Sequence, residues 1–85
     1  MKPKKTKELE WQQIGDIYIL TDKETNKTYT LDAISFLVWL QCDGNTDIET
    51  IVDVFSVNGN RDIVKSAIMN ILKNLQELKL IEIKD

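Results

Sequence analysis

Hydrophobic and polar residues alternate from Leu9 to Leu31, and turn-forming residues interrupt the alternation. A period of two is typical of short strands that turn one face inward. Gly15 and Asp16 form the first break, and the polar segment 22–27 forms the second. The three predicted strands span about residues 9–14, 17–21 and 28–31. This part of the chain is therefore predicted to be a meander of three antiparallel strands.

Apolar residues recur at helical spacing after the third strand. Asp32 offers a cap for a first helix that ends near Cys42, and this helix is apolar on nearly every side, which predicts that more than one face is covered. Thr46 and Glu49 have the spacing of a capping box at the start of a second helix, and Asn60 caps a third. We therefore expect an α+β fold in which a three-stranded antiparallel sheet is followed by three helices.

The distribution of charge separates the start of the chain from the rest. Four of the eleven basic residues lie within the first seven positions of an 85-residue chain with a net charge of −3. These are Lys2, Lys4, Lys5 and Lys7. The remainder carries 7 basic and 14 acidic side chains, a net charge of −7, which disfavours nucleic acid as a partner. We expect a flexible basic tail over residues 1–7 and one domain over 8–85, with residues 80–83 extended and packed on its body.

Residues that support catalysis or metal binding are scarce. The chain has no histidine and a single cysteine, Cys42, so the usual ligand sets for zinc, haem and iron–sulfur clusters are missing. A serine or cysteine nucleophile would lack the common histidine base, and the three glycines are too far apart to form a phosphate-binding loop. We therefore predict a protein without enzyme activity, metal or cofactor.

Cys42 lies in a helical segment and is interpreted as a small core residue. A single cysteine cannot form a disulfide within the chain, and an unpaired thiol is more usual in a reducing compartment. The sequence also shows no signal peptide and no apolar stretch long enough to span a membrane. These features predict a cytoplasmic protein without a membrane partner.

The predicted order of elements is that of a winged helix-turn-helix fold whose strands come first. Within it, residues 29–55 resemble PqqD-like proteins, in which a strand ending in Leu-Asp leads into a helix with a tryptophan, an Asp-Gly exit, a threonine and a short helix. The matching residues are Tyr29, Leu31, Asp32, Val38, Trp39, Leu40, Asp43, Gly44, Thr46, Ile48 and Ile51. The resemblance extends over about residues 9–83. Trp39 itself is interpreted as a core residue, because its helix is apolar all round.

The resemblance implies a recognition element for ribosomally synthesised and post-translationally modified peptides. Such an adaptor binds the leader segment of a precursor peptide and presents the attached core to a modifying enzyme, often a radical enzyme that uses S-adenosylmethionine. A peptide of this kind can add as a strand to the free edge of a sheet, where backbone hydrogen bonds give affinity and neighbouring pockets read alternate side chains. The implied partners are thus a precursor peptide and its modifying enzyme.

The implied peptide site lies between the third strand and the third helix. On the strand, the candidate residues are Thr28, Tyr29, Thr30 and Leu31. On the helix, they are Val64, Lys65, Ile68, Met69 and Leu72. Val64, Ile68 and Leu72 suit either the groove or the core, and Lys65 suits either a solvated charge or a contact with an acidic leader.

Two other functions fit the same order of elements. A winged-helix transcription factor would insert the third helix into the major groove of DNA. Arg61, Lys65 and Lys73 are the basic residues of that helix, and Asp62 and Glu77 offset them, so neutralisation of phosphates would be weak. The second alternative is a subunit that only supports a larger complex.

Overall fold

A computed structural model describes residues 1–84. Its strands are β1 (Lys2–Lys5), β2 (Glu10–Ile14), β3 (Ile17–Asp22), β4 (Lys27–Asp32) and β5 (Ile81–Lys84). Its helices are α1 (Ala33–Gln41), α2 (Ile48–Phe55) and α3 (Arg61–Glu77). Strands β2, β3 and β4 form an antiparallel sheet in that order, and β1 pairs with β5 in a separate ribbon. The predicted α+β fold, with a three-stranded meander followed by three helices, is confirmed.

The start of the chain differs from the prediction of a flexible tail, because Lys2–Lys5 form strand β1 against β5. Pro3 is buried, and its carbonyl accepts a hydrogen bond from the Gly44 amide at 2.9 Å. The Lys5 Nζ lies over the Trp39 ring, 5.1 Å from the ring centroid. The high density of lysines indicated that this segment is solvated. In the structure, backbone pairing and the apolar part of the Lys4 side chain beside Gly44 attach it to the rest of the domain.

The core lies where α1 meets the sheet and α3. Strands contribute Leu20 and Leu31, α1 contributes Phe36, Val38 and Trp39, α2 contributes Ile48, Ile51 and Val52, and α3 contributes Ile68, Leu72 and Leu75. Cys42 is fully buried beside them, as the sequence indicated. Burial of apolar surface of this kind is the main force that holds the domain together. Helix α1 is the central element, but only one of its faces is covered.

The helix starts are fixed by side-chain caps. The Asp32 carboxylate accepts a hydrogen bond from the Ser35 amide at 2.7 Å, and the Asn60 side chain accepts hydrogen bonds from the amides of Asp62 and Ile63 in the first turn of α3. The predicted capping box at α2 is wrong, because Asp47 is the cap and accepts from the Glu49 amide at 3.0 Å. The Thr46 hydroxyl instead donates to Asp43, which organises the turn between α1 and α2.

Two further properties concern the described residues as a set. Over residues 1–84, no helix is long and apolar enough to cross a membrane. Over the same span, no group of three or more His, Cys, Asp or Glu side chains is arranged to hold a metal ion.

Candidate functional site

The three-stranded sheet has two free edges. Within residues 1–84, strand β4 pairs only with β3, and strand β2 pairs only with the other side of β3. Neither strand contains a proline, and β4 has one lysine, Lys27, at its first position. Free edges offer unpaired backbone groups to another chain unless proline, charge or a covering element blocks them. The predicted third strand is thus an edge strand that is open to pairing.

The turn between β2 and β3 determines which amides of β4 point outward. Gly15 has a φ of 62°, and a two-residue turn joins the paired residues Ile14 and Ile17. Residues that flank such a turn form a hydrogen-bonded pair, and hydrogen-bonded and non-bonded pairs then alternate along the ladder. Ile19 therefore directs its backbone groups toward β2. Thr30 of β4 lies opposite Ile19 of β3, so it must direct its own amide and carbonyl away from the sheet.

The same alternation shows which predicted strand residues direct their backbone groups toward the free edge and which bond to β3. Thr28 and Thr30 have exposed side chains and backbone groups that face the free edge. Tyr29 and Leu31 lie on the core face of the sheet, where Tyr29 is half-buried and Leu31 is buried. The backbone of Thr28 and Thr30 is therefore available for pairing with a peptide, whereas Leu31 contributes to the core.

On α3, the residues predicted to contact the peptide occupy four different environments. Ile68 and Leu72 are buried in the core of the free protein, so of the two interpretations left open by the sequence the structure places them in the core. Val64 is half-buried and packs against that core. Met69 is 37% exposed. Lys65 is half-buried and engaged in an ion pair.

The ion pairs of α3 connect it to α2. Lys65 Nζ lies 2.9 Å from Glu49 Oε2, and the Arg61 guanidinium lies 2.9 Å from Glu49 Oε1. Arg61 Nε also donates to Asp53 at 3.0 Å. Hydrogen bonds from Lys65 and then Arg61 lower the pKa of Glu49, and the carboxylates in turn raise the pKa of Arg61. Lys65 is therefore paired with a carboxylate of α2 in the free protein.

These pairs distinguish the two flanks of α3. Arg61, Lys65 and Met69 follow one another at intervals of one helical turn, on the flank that carries the bonds to α2. Ala67 and Ile71 lie on the opposite flank, beyond the buried row of Ile68, Leu72 and Leu75, and they share it with Val64. Ala67 and Ile71 are not among the helix residues that the sequence predicted for the peptide site. The sequence has no local signal for the two flanks, because the contact between Glu49 and Lys65 depends on how α2 packs against α3.

Helix α1 joins the two parts of the site, because it packs against β4 and also against α3. Its Phe36 ring stacks on Tyr18 of β3, with ring centroids 4.1 Å apart, and meets Trp11 of β2 edge-on at 4.7 Å. Trp39 is buried, as predicted for a core residue. The sheet and α3 thus both pack against the same helix.

Comparison with known proteins agrees with this architecture. The sequence model of the PqqD family, described as coenzyme PQQ synthesis protein D, matches residues 18–81. A solved structure described as TbiB1 in complex with the TbiA(beta) leader peptide superposes with a TM-score of 0.73 at 23% sequence identity, covering 96% of this chain and 98% of that chain. At this identity the superposition shows a shared fold. No curated protein matches the sequence significantly.

The family match includes the strand, helix and Asp-Gly segment on which the predicted resemblance rested, and that prediction is confirmed. It extends from β3 through α3 to the start of β5. Since the match covers most of the 85 residues, the chain belongs to the PqqD family.

Proposed function

We propose that this protein is a leader-peptide-binding adaptor of the cytoplasm, which captures a ribosomally synthesised precursor and presents it to a modifying enzyme without catalysing a reaction itself. The observation that carries the proposal is the free edge of β4 in a member of the PqqD family. The similar fold of TbiB1, described in complex with a leader peptide, supports the same assignment. The family resemblance favours a radical S-adenosylmethionine enzyme as the partner.

The leader adds as a fourth strand beside β4. It exchanges backbone hydrogen bonds with Thr28 and Thr30, whose amides and carbonyls face the free edge. Alternate side chains of the leader then turn toward the helices. Val64, Ala67 and Ile71 form the flank of α3 opposite the ion pairs with α2, and we assign the second wall of the groove to them.

The alternative, a DNA-binding regulator, is not supported by the comparisons, and the ion pairs argue against it. Arg61 and Lys65 are the basic residues at the start of α3, and both are bound to carboxylates of α2. A helix that enters the major groove needs such side chains for bases and phosphates. Freeing them would leave Glu49 and Asp53 beside the DNA backbone, where like charges repel.

Replacing Thr30 with proline tests the strand-addition mechanism. The variant is expected to fold, because the amide it removes faces the free edge rather than β3. Its affinity for the cognate leader peptide is expected to fall by at least about tenfold, since one backbone hydrogen bond is lost and the proline ring obstructs the added strand. Calorimetric titration measures the affinity, and circular dichroism verifies the fold.

Gln13 provides a matched control on the other edge of the same sheet. Gln13 lies on β2, opposite Tyr18 of β3, and the alternation of bonded and non-bonded pairs directs its amide outward as well. Gln13→Pro should therefore retain the leader affinity of the unmodified protein. Loss of binding in Gln13→Pro together with full binding in Thr30→Pro would move the site from β4 to β2 and contradict the proposal.

A further inference from the structure

Helix α1 has an apolar face that the described residues leave partly exposed. Ile34, Leu37 and Leu40 expose 58%, 44% and 39% of their surfaces. They follow one another at three-residue intervals and lie on the side of the helix opposite buried Phe36, Val38 and Trp39. We name these three residues the α1 stripe.

The composition of α1 sets the stripe apart from other exposed apolar residues. The helix contains no charged side chain, and Gln41 is its one polar residue besides Ser35. A helix that is apolar all round normally has protein or lipid on every side. Val57, by comparison, lies between the polar residues Ser56 and Asn58 in the chain. The stripe therefore has the character of an interface rather than of ordinary protein surface.

We propose that the α1 stripe is the surface that contacts the modifying enzyme, an inference that rests on the proposed adaptor function. The size of the stripe argues against a stable dimer of this chain. A nine-residue helix is about 14 Å long and about 10 Å across. A stable interface buries roughly 800 Å² on each partner, which is several times the area that such a face offers.

A contact of this size becomes effective when a second link holds the partners together. The precursor supplies that link, because its leader is bound to the adaptor while its core enters the enzyme. Tethering of this kind raises the effective concentration of one partner to about the millimolar range, at which a weak apolar contact is occupied. A second copy of the chain would have no such tether. The shared peptide therefore favours the enzyme as the occupant of the stripe.

The position of the stripe suits this role. Strand β4 ends at Asp32, and the Asp32 side chain caps α1, so the first turn of α1 with Ile34 begins where the peptide-binding edge ends. An enzyme seated on α1 would lie next to the bound leader without occupying the β4 edge. Lys5 stabilises the far end of the helix, because its Nζ donates to the Leu40 carbonyl at 3.3 Å.

The test replaces Leu37 with lysine, with Ile34→Lys as a second variant in case the first does not fold. Val57→Lys is the matched control, since Val57 is 79% exposed and lies outside the stripe. The protein, its precursor peptide and the modifying enzyme of the same pathway are purified. Calorimetry measures leader affinity, and the rate of precursor modification is followed as the adaptor concentration is raised.

We expect both stripe variants to bind the leader as the unmodified protein does and to need at least about tenfold more adaptor for half-maximal modification. Val57→Lys should behave like the unmodified protein in both measurements. Unchanged modification with folded stripe variants would overturn the inference, as would a dimer in sedimentation that Leu37→Lys dissociates. Absence of leader binding by the unmodified protein would instead refute the proposed function, and direct titration with the enzyme would still test the stripe.

Discussion

Replacing Leu72 with alanine is expected to lower the free energy of unfolding by about 2–5 kcal/mol. Leu72 is fully buried where α3 faces the core, so the shorter side chain loses apolar burial and leaves a cavity. A domain of this size has roughly 5–15 kcal/mol of total stability, which makes the loss a large fraction of the whole. Urea unfolding followed by circular dichroism measures the change in the free energy of unfolding. The dependence of this free energy on urea concentration is expected to stay the same.

Met69→Ala is the control for this substitution. Met69 lies on the same helix, one turn away, and is partly exposed, so its loss should cost clearly less than the loss of Leu72. Equal destabilisation by the two variants would mean that α3 presents a different face to the core. The predicted groove residues would then need to be reassigned.

The Cys42 thiol is expected to react roughly 10³-fold more slowly with a disulfide reagent in the folded protein than in the unfolded chain at mildly alkaline pH. Burial raises its pKa from 9.0 to about 12, so the reactive thiolate is scarce. The Cys42 Sγ also donates to the Val38 carbonyl at 3.2 Å. The rate is measured with 5,5′-dithiobis(2-nitrobenzoate), in buffer and in guanidinium chloride.

An exposed thiol on the same protein calibrates that experiment. The double variant Cys42→Ala, Val57→Cys places the thiol at a site that is almost fully exposed, and it should react at nearly the same rate folded and unfolded. Fast labelling of Cys42 in a protein that has the circular dichroism spectrum of the folded state would show that the core opens readily near β1. Strand β1 lies over this position, because the Lys5 amide donates to the Cys42 carbonyl at 3.0 Å.

The sequence predicted the elements whose signals are local. A period of two marked β2, β3 and β4, and helical spacing with Asp32 and Asn60 as caps marked α1 and α3. The pairing of β1 with β5 joins residues near opposite ends of the chain, and no local pattern specifies such a contact. Lysines around a single proline resembled a solvated segment, so β1 was missed.

Helix α1 illustrates a second limit of prediction from an amino-acid sequence. Its apolar residues predicted burial on more than one face, but Ile34, Leu37 and Leu40 remain exposed in the isolated chain. Hydrophobicity indicates that a face prefers to be covered, and it does not say whether the same chain or another protein provides the cover.

The candidate site was predicted in part. The edge position of β4 follows from the meander, and the outward direction of Thr28 and Thr30 follows once the turn at Gly15 is known to have two residues. The flanks of α3 needed the structure, because the bond between Lys65 and Glu49 depends on the angle at which α2 meets α3. Local spacing identifies the faces of one helix but not their neighbours.

Hydrogen exchange at individual amides, recorded by NMR with and without saturating leader peptide, tests strand addition at β4 most directly. In the free protein, the amides of Tyr29 and Leu31 should exchange slowly because they are bonded to β3, and those of Thr28 and Thr30 should exchange quickly. Leader binding is predicted to slow Thr28 and Thr30 strongly and to leave the outward amides of Trp11 and Gln13 on β2 unchanged. Slowing confined to β2, or binding with no change at Thr28 and Thr30, would contradict the proposed mechanism.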